Sequence, residues 1–244
     1  MIRRLLVLLP LLLVVALPAR AGGVRLATLD WEPYIGRNLP GNGYVAEVVR
    51  EAFRRQGYTV TFEFMPWARA VAMARTGEID GYLPEYAGQN FDGDFFLSAS
   101  FPGGPLGFFK LRSRDIFWST LDDLKPYRIG VVRGRVNTAA FDARPDMIKE
   151  AVTGDLQNLR KLAIGRVDLV LADRNVGLFL AQKYMGADAE RIEFMLPVLE
   201  EKALHIRFPI VKPDSLTLVR AFDAGLASMS ADGSLGMLQA RYGF

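Results

Sequence analysis

Two blocks of alternating strand and helix periodicity constrain the fold of this chain more than any other feature. Residues 24–29 form a β-rich run that ends in Asp30-Trp31-Glu32-Pro33-Tyr34, where proline enforces a loop. Val45, Val48, Val49, Ala52 and Phe53 then fall at helical spacing on one face, and Gly57 follows their end. A strand over 59–64, an apolar stripe of Trp67, Ala70, Val71 and Ala74, a helix stop at Gly77 and a strand over 80–83 complete a βαβαβ unit. A glycine- and aromatic-rich stretch, 86–105, separates this block from the next. The second block has strands over 107–111, 127–132, 149–152 and 168–172, with a helical stripe of Leu156, Leu159 and Ala163 ending at Gly165. A strand over 204–208 and a long helix with Leu216, Val219, Phe222, Leu226 and Met229 on one face, stopped by Gly233, close the chain. The pattern predicts an α/β protein of two similar lobes. If the last helix covers the first lobe, the chain crosses between lobes twice, near 107–111 and near 204–208.

The first 21 residues read as an export signal. Arg3 and Arg4 precede an uncharged apolar run over 5–18, and Ala19-Arg20-Ala21 is a small-x-small cleavage site. The run is about 14 residues, short of the roughly 20 that span a bilayer, and Pro10 interrupts it. Cleavage after Ala21 and a periplasmic location are expected. Of the 30 basic residues, three fall in this segment, and without them 27 basic face 27 acidic residues. That balance argues against nucleic acid as a partner.

Composition removes whole classes of chemistry. With no cysteine and His205 as the one histidine, thiol nucleophiles, disulfides, cysteine-bearing zinc sites and any triad not built on that imidazole are excluded. His205 itself lies among apolar residues of an expected strand and reads as structural. No motif calls for a cofactor or a metal.

In parallel α/β sheets, ligands sit beyond the carboxyl ends of the strands. That rule selects Asp30, Trp31, Glu32 and Tyr34 after the first strand, Pro66 and Trp67 after the second, and 82–86 after the third. From the second block it selects Arg133, Gly134, Arg135 and Asn137, then Asp173 and Arg174. Aromatic walls with charges at the ends suit a small polar organic molecule. Several of these positions carry two readings. Trp67 shares a stripe with Ala70 and Val71 and fits core packing as well as site lining. Asp173 suits a helix cap as well as a ligand. Arg133 and Arg135 lie on one side if their strand continues past residue 132, and otherwise read as surface arginines.

With these residues in view, the chain after the export signal resembles the family 3 extracellular solute-binding proteins, the polar amino-acid receptors of ABC importers, in a divergent branch. The resemblance rests on Asp30-Trp-Glu-Pro-Tyr34, Gly43-Tyr-Val-Ala-Glu-Val-Val49, Pro66-Trp-Ala-Arg69, Gly77-Glu-Ile-Asp-Gly81, Leu121-Asp-Asp-Leu124, Ile129-Gly-Val-Val-Arg-Gly134 and Asn158-Leu-Arg-Lys-Leu-Ala-Ile-Gly-Arg-Val-Asp168. It implies two α/β lobes joined by two strands, residues 22–108 with 206–244 and residues 109–205, closing like a hinge on a small-molecule ligand. It also implies a monomer that hands its solute to permease subunits in the inner membrane. The ligand-binding set expected is Asp30, Trp31, Glu32, Tyr34, Trp67, Arg69, Tyr82, Arg133, Arg135 and Asp173. Such receptors clamp the ligand carboxylate with an arginine shortly before a serine that Ser98 matches; here Phe91 stands in its place, and no arginine occurs between Arg75 and Arg112. Asp173 matches the position that holds the ligand amine, and Arg135 or Arg69 is left to meet an anion. Two other readings stand beside the receptor: a dehydratase-like periplasmic enzyme using Glu32 or Glu85, and the ligand-sensing partner of a membrane sensor.

Overall fold

The computed structural model describes residues 22–87 and 93–243. The export segment and Phe91 lie outside the described residues.

Among the described residues, ten strands and seven α-helices follow one another: β1 Gly22–Thr28, α1 Tyr44–Arg54, β2 Tyr58–Phe64, α2 Trp67–Arg75, β3 Gly81–Glu85, β4 Phe95–Leu97, β5 Phe101–Leu111, β6 Arg128–Val132, α3 Ala139–Asp142, β7 Ile148–Val152, α4 Asp155–Ala163, β8 Leu169–Asp173, α5 Arg174–Tyr184, β9 Ile192–Phe194, β10 Glu200–Pro209, α6 Ser215–Ala231 and α7 Ser234–Tyr242. The strands pair in the order β2-β1-β3-β10-β5-β8-β6-β7, with β4 on β10 and β9 on β5. β1 runs parallel to β2 and β3, and β6 runs parallel to β7 and β8. Each parallel trio is one expected strand–helix block. Between them lie two antiparallel strands: β10 pairs β5 over Glu200–Leu204, and then β3 and β4 over His205–Pro209. The result is two α/β lobes joined by two crossing strands. On β5, pairing with β10 spans Phe101–Leu106 and pairing with β8 starts at Leu106, so the crossing lies just before the 107–111 expected from the apolar periodicity.

Helix packing follows the stripes except at Leu216, which is exposed while Leu218 takes a place on the buried face of α6. Val45, Val48, Val49, Ala52 and Phe53 are all buried on α1, against Phe222 and Leu226 of α6. The last helix therefore covers the first lobe, as a chain that crosses twice requires. α6 lies so close to α1 that a Cβ on Gly225 would collide with the backbone carbonyl of Ala52. Helix propensity alone favours Gly225→Ala by up to about 1 kcal/mol. The rigid carbonyl reverses the sign, and we expect a net loss of about 1–3 kcal/mol from forced helix separation. Thermal melting checks this; a variant at least as stable as the parent would show that the two helices are not locked together.

The elements α7, β4, β9 and β3 differ from the sequence pattern. α7 resumes directly after the left-handed Gly233, and its stripe of Leu235, Leu238 and Tyr242 is only half-buried against the core. β4 and β9 have three residues each, too few for a period to register. β3 starts at Gly81 rather than Asp80, because the Asp80 carboxylate is held at the edge by the Arg25 backbone N–H and the Lys212 ammonium.

Candidate functional site

The loops after β1, β2, β6 and β7, with α5, converge between the lobes, where they bound a cleft of about 610 Å³. Asp30, Trp31, Glu32, Trp67 and Arg69 line it from the first lobe, and Arg135 from the second. At its inner end, Leu29, Trp31, Trp67, Pro84, Glu85, Tyr86 and Arg135 enclose a cavity of about 10 Å³, room for one water-sized molecule. Trp31, Trp67 and Arg135 belong to both spaces and form the passage between them. Asp30 and Arg69 are exposed at the outer mouth, where Asp30 is ion-paired with Arg37 at 2.9 Å.

The inner cavity is chemically unsatisfied. Among the described residues, the indole N–H groups of Trp31 and Trp67, the Tyr86 hydroxyl and Oε2 of Glu85 are buried without a hydrogen-bond partner. Buried polar groups rarely stay unpaired, and four on one small cavity mark a place built for a polar occupant. Glu85 is only 2 % exposed, and its other oxygen accepts the Tyr86 backbone N–H at 2.9 Å. Burial pushes its carboxyl up to about 7, against the weaker pull of that N–H and of Arg207, Arg135 and Lys202.

Contacts across the cleft come from residues expected to touch ligand. Tyr34 donates to Oδ2 of Asp173 at 3.1 Å and accepts from Asn175 Nδ2 at 2.9 Å. Glu32 accepts from Lys183 Nζ at 3.1 Å and from the Tyr184 hydroxyl at 2.9 Å. The Arg135 guanidinium lies 5.4 Å from the Trp31 ring centroid. These bonds hold the lobes together in the conformation seen.

Four expected positions are corrected. Asp173 lines neither space: Oδ1 caps α5 by accepting from the N–H groups of Asn175 and Val176, and Oδ2 is taken by Tyr34. Of its two readings the helix cap is the one realised, and burial pushes its carboxyl up to about 7. Tyr34 likewise lines neither space, because its hydroxyl serves the bond between lobes. Tyr82 is fully buried beneath the site, edge-on to Trp67 and Phe95 at 5.2 Å each, in the apolar layer under α2. Arg133 points to solvent, since β6 stops at Val132 and Gly134 turns the chain at φ +74°. That turn separates the two arginines: Arg135 goes inward and binds both oxygens of Asp155 through Nη1, at 2.7 and 2.8 Å.

Other lining residues escaped the sequence reading. Thr153, Gly154, Asp155 and Gln157 come from the start of α4, after a strand whose end the site rule also covers. Leu180 and Tyr184 come from α5. Glu85 stood in the selected range 82–86 only as an acid or base; a lone charge at the end of the run Gly81–Glu85, wholly buried, was the available signal.

No family model and no curated protein matches this sequence. Solved structures do match. A histidine kinase sensor domain described as similar to periplasmic binding proteins superposes with a TM-score of 0.79 at 17% identity, over 91% of this chain and 96% of that one. The substrate-binding protein of an amino acid ABC transporter gives 0.74 at 14% identity, over 91% and 99%. The GluR0 ligand-binding core from Nostoc punctiforme, in complex with L-glutamate, gives 0.73 at 17%, over 90% and 98%. The fold is therefore that of the periplasmic-binding-protein-like class, two α/β lobes around an interlobe cleft. Among the described residues, no helix is long and apolar enough to cross a membrane.

Proposed function

We propose that this protein is a non-catalytic periplasmic receptor that captures a small polar organic solute between its lobes and delivers it to permease subunits of an ABC importer. The observation that carries the reading is the inner cavity, where polar groups without partners from three loops of the first lobe meet an arginine of the second. In this reading residues 1–21 are removed in export, and residues 22–108 with 206–244 move as one body against residues 109–205. The receptor acts as a monomer.

A solute larger than water enters the inner cavity only when the lobes part and the Tyr34–Asp173 and Glu32–Lys183 bonds break. Ligand touching both lobes stabilises the closed form alone. Native mass spectrometry of protein purified without refolding should therefore reveal a bound small molecule, and small-angle scattering should show a smaller radius of gyration with it than without. An unchanged scattering profile at proven saturation would overturn the moving lobes.

The match to a sensor domain supports a second reading, in which the same capture reports to a membrane kinase instead of a permease. Co-purification from membranes separates the two partners. An enzymatic reading has less to stand on. Glu32 lines the outer cleft and is occupied by Lys183 and Tyr184, whereas Glu85 lies in the inner cavity, so the two carboxylates do not face one reacting centre.

A further inference from the structure

We propose that Glu85, and not Asp173, is the carboxylate that recognises a protonated nitrogen of the ligand, while the Trp31 and Trp67 indole N–H groups and the Tyr86 hydroxyl read an acceptor on the same molecule. The inference rests on the solute-binding reading above and gives it a ligand chemistry.

The two carboxylates differ in availability. Both oxygens of Asp173 are spent inside the protein, on the α5 cap and on Tyr34, and no part of it lines the cavity. Glu85 is as deeply buried, yet its Oε2 has no hydrogen bond and its carboxylate has no ion pair among the described residues. The neighbouring Tyr82 hydroxyl interacts with the Glu85 carboxylate, through a contact too poor in geometry to satisfy Oε2. An acceptor left unmet at the end of a cavity is costly unless an occupant donates to it. The other three unmet groups, two indoles and a phenol, are hydrogen-bond donors there and require an acceptor. Arg135 adds positive charge on the same side, with Nη1 committed to Asp155. One occupant answers both demands if it carries a protonated nitrogen at one point and a carboxylate or hydroxyl at another.

Trp31 and Trp67 line the cavity and Trp118 is the third tryptophan, so intrinsic fluorescence reports occupancy. We would titrate the exported protein with ω-aminocarboxylates, dicarboxylates and diols of two to six carbons, matched in length. At least one aminocarboxylate should give a saturable change, at least tenfold tighter than the dicarboxylate and diol of its length. Glu85→Gln should weaken that binding at least tenfold. Dicarboxylates or diols that bind as tightly as the aminocarboxylates would overturn the role of Glu85 and leave the receptor reading intact. Saturation by no member would also overturn it, and the receptor reading would then be judged by whether native mass spectrometry finds a solute. Should Glu85→Gln fail to fold, the comparison of the three series on the unaltered protein still decides.

Discussion

Arg135→Ala is expected to destabilise the protein by roughly 3–5 kcal/mol, because it strands a buried carboxylate. The side chain of Asp155 is 3 % exposed and that of Arg135 is 9 %, and the pair is joined at 2.7 Å. Removing the guanidinium leaves the Asp155 charge in a desolvated place, where its position in the first turn of α4 offsets only part of the cost. It also removes the cation above Trp31. For a domain of this size each kcal/mol moves the melting temperature by about 2–4 °C, so a fall of about 6–20 °C should follow. Arg133→Ala, two residues away and solvated, should stay within about 0.5 kcal/mol of the parent. Replacing both partners, as in Arg135→Met with Asp155→Leu, should recover most of the loss, since no buried charge then remains. A single Arg135→Ala variant that melts within about 2 °C of the parent would show that the Arg135–Asp155 pair is solvated in solution.

That pair also explains how the second lobe contributes to the cleft. Asp155 holds Arg135 by one nitrogen in a fixed place over Trp31, so the charge facing the cavity is positioned before ligand arrives. Such preorganisation lowers the entropy lost on binding. The first lobe supplies the unmet polar groups and the aromatic walls. The Tyr34 and Glu32 bonds to α5 and to its cap lie beside the cavity rather than in it, and they report whether the lobes are closed.

The fold was legible because its signals are periodic. Helix stripes on α1, α2, α4 and α6, with stops at Gly57, Gly77, Gly165 and Gly233, survive in a single sequence because each stripe must face a core. The carboxyl-end rule likewise selected Trp31, Glu32, Trp67 and Arg135, which line the interlobe cleft. It could not tell which side chain of β3 enters the cavity: all five residues are buried, and alternation carries no information when both faces are covered. Tyr82 therefore looked as good as Glu85. The fate of Arg133 and Arg135 hung on whether β6 ran past Val132, which a glycine able to take a positive φ decides only in three dimensions. Asp173 was readable as cap and as ligand contact, and the Tyr34 hydroxyl that occupies its second oxygen in this conformation lies 139 residues away in the chain.

Ligand-free protein is expected to lose stability as pH rises from about 4.5 to about 7, and two buried carboxyls set this direction. Burial raises Glu85 from 4.5 to about 7 and Asp173 from 3.8 to about 7. Glu85 is faced by Tyr82, Tyr86, Arg135, Lys202 and Arg207, with His205 opposite it on β10, and Asp173 by Tyr34 and Asp155. Within this window the folded chain keeps protons that the unfolded chain has released, so stability falls with pH, by an amount on the order of a few kcal/mol. Asp223, also raised by burial, acts in the same sense. His205, held below its usual value by burial, opposes them as pH climbs toward 6.5 and is outnumbered. Exposed acids act elsewhere: Glu51, hydrogen-bonded by Arg54, Asp123, by the Ser119 backbone N–H, and Asp232, by Ser234, sit near 2, so their stabilisation is lost only below about pH 4. A protonated nitrogen bound at Glu85 favours its ionised form, which ties the two effects together. Melting temperatures at pH 5, 6.5 and 8 should fall without ligand, while the rise produced by a saturating aminocarboxylate should grow over the same range. Glu85→Gln should flatten roughly half of the ligand-free slope, because one of the two raised carboxyls is gone. A melting temperature that climbs steadily from pH 5 to 8, or a slope untouched by Glu85→Gln, would mean that Glu85 is ionised and paired in the ligand-free protein and has no vacancy for a nitrogen.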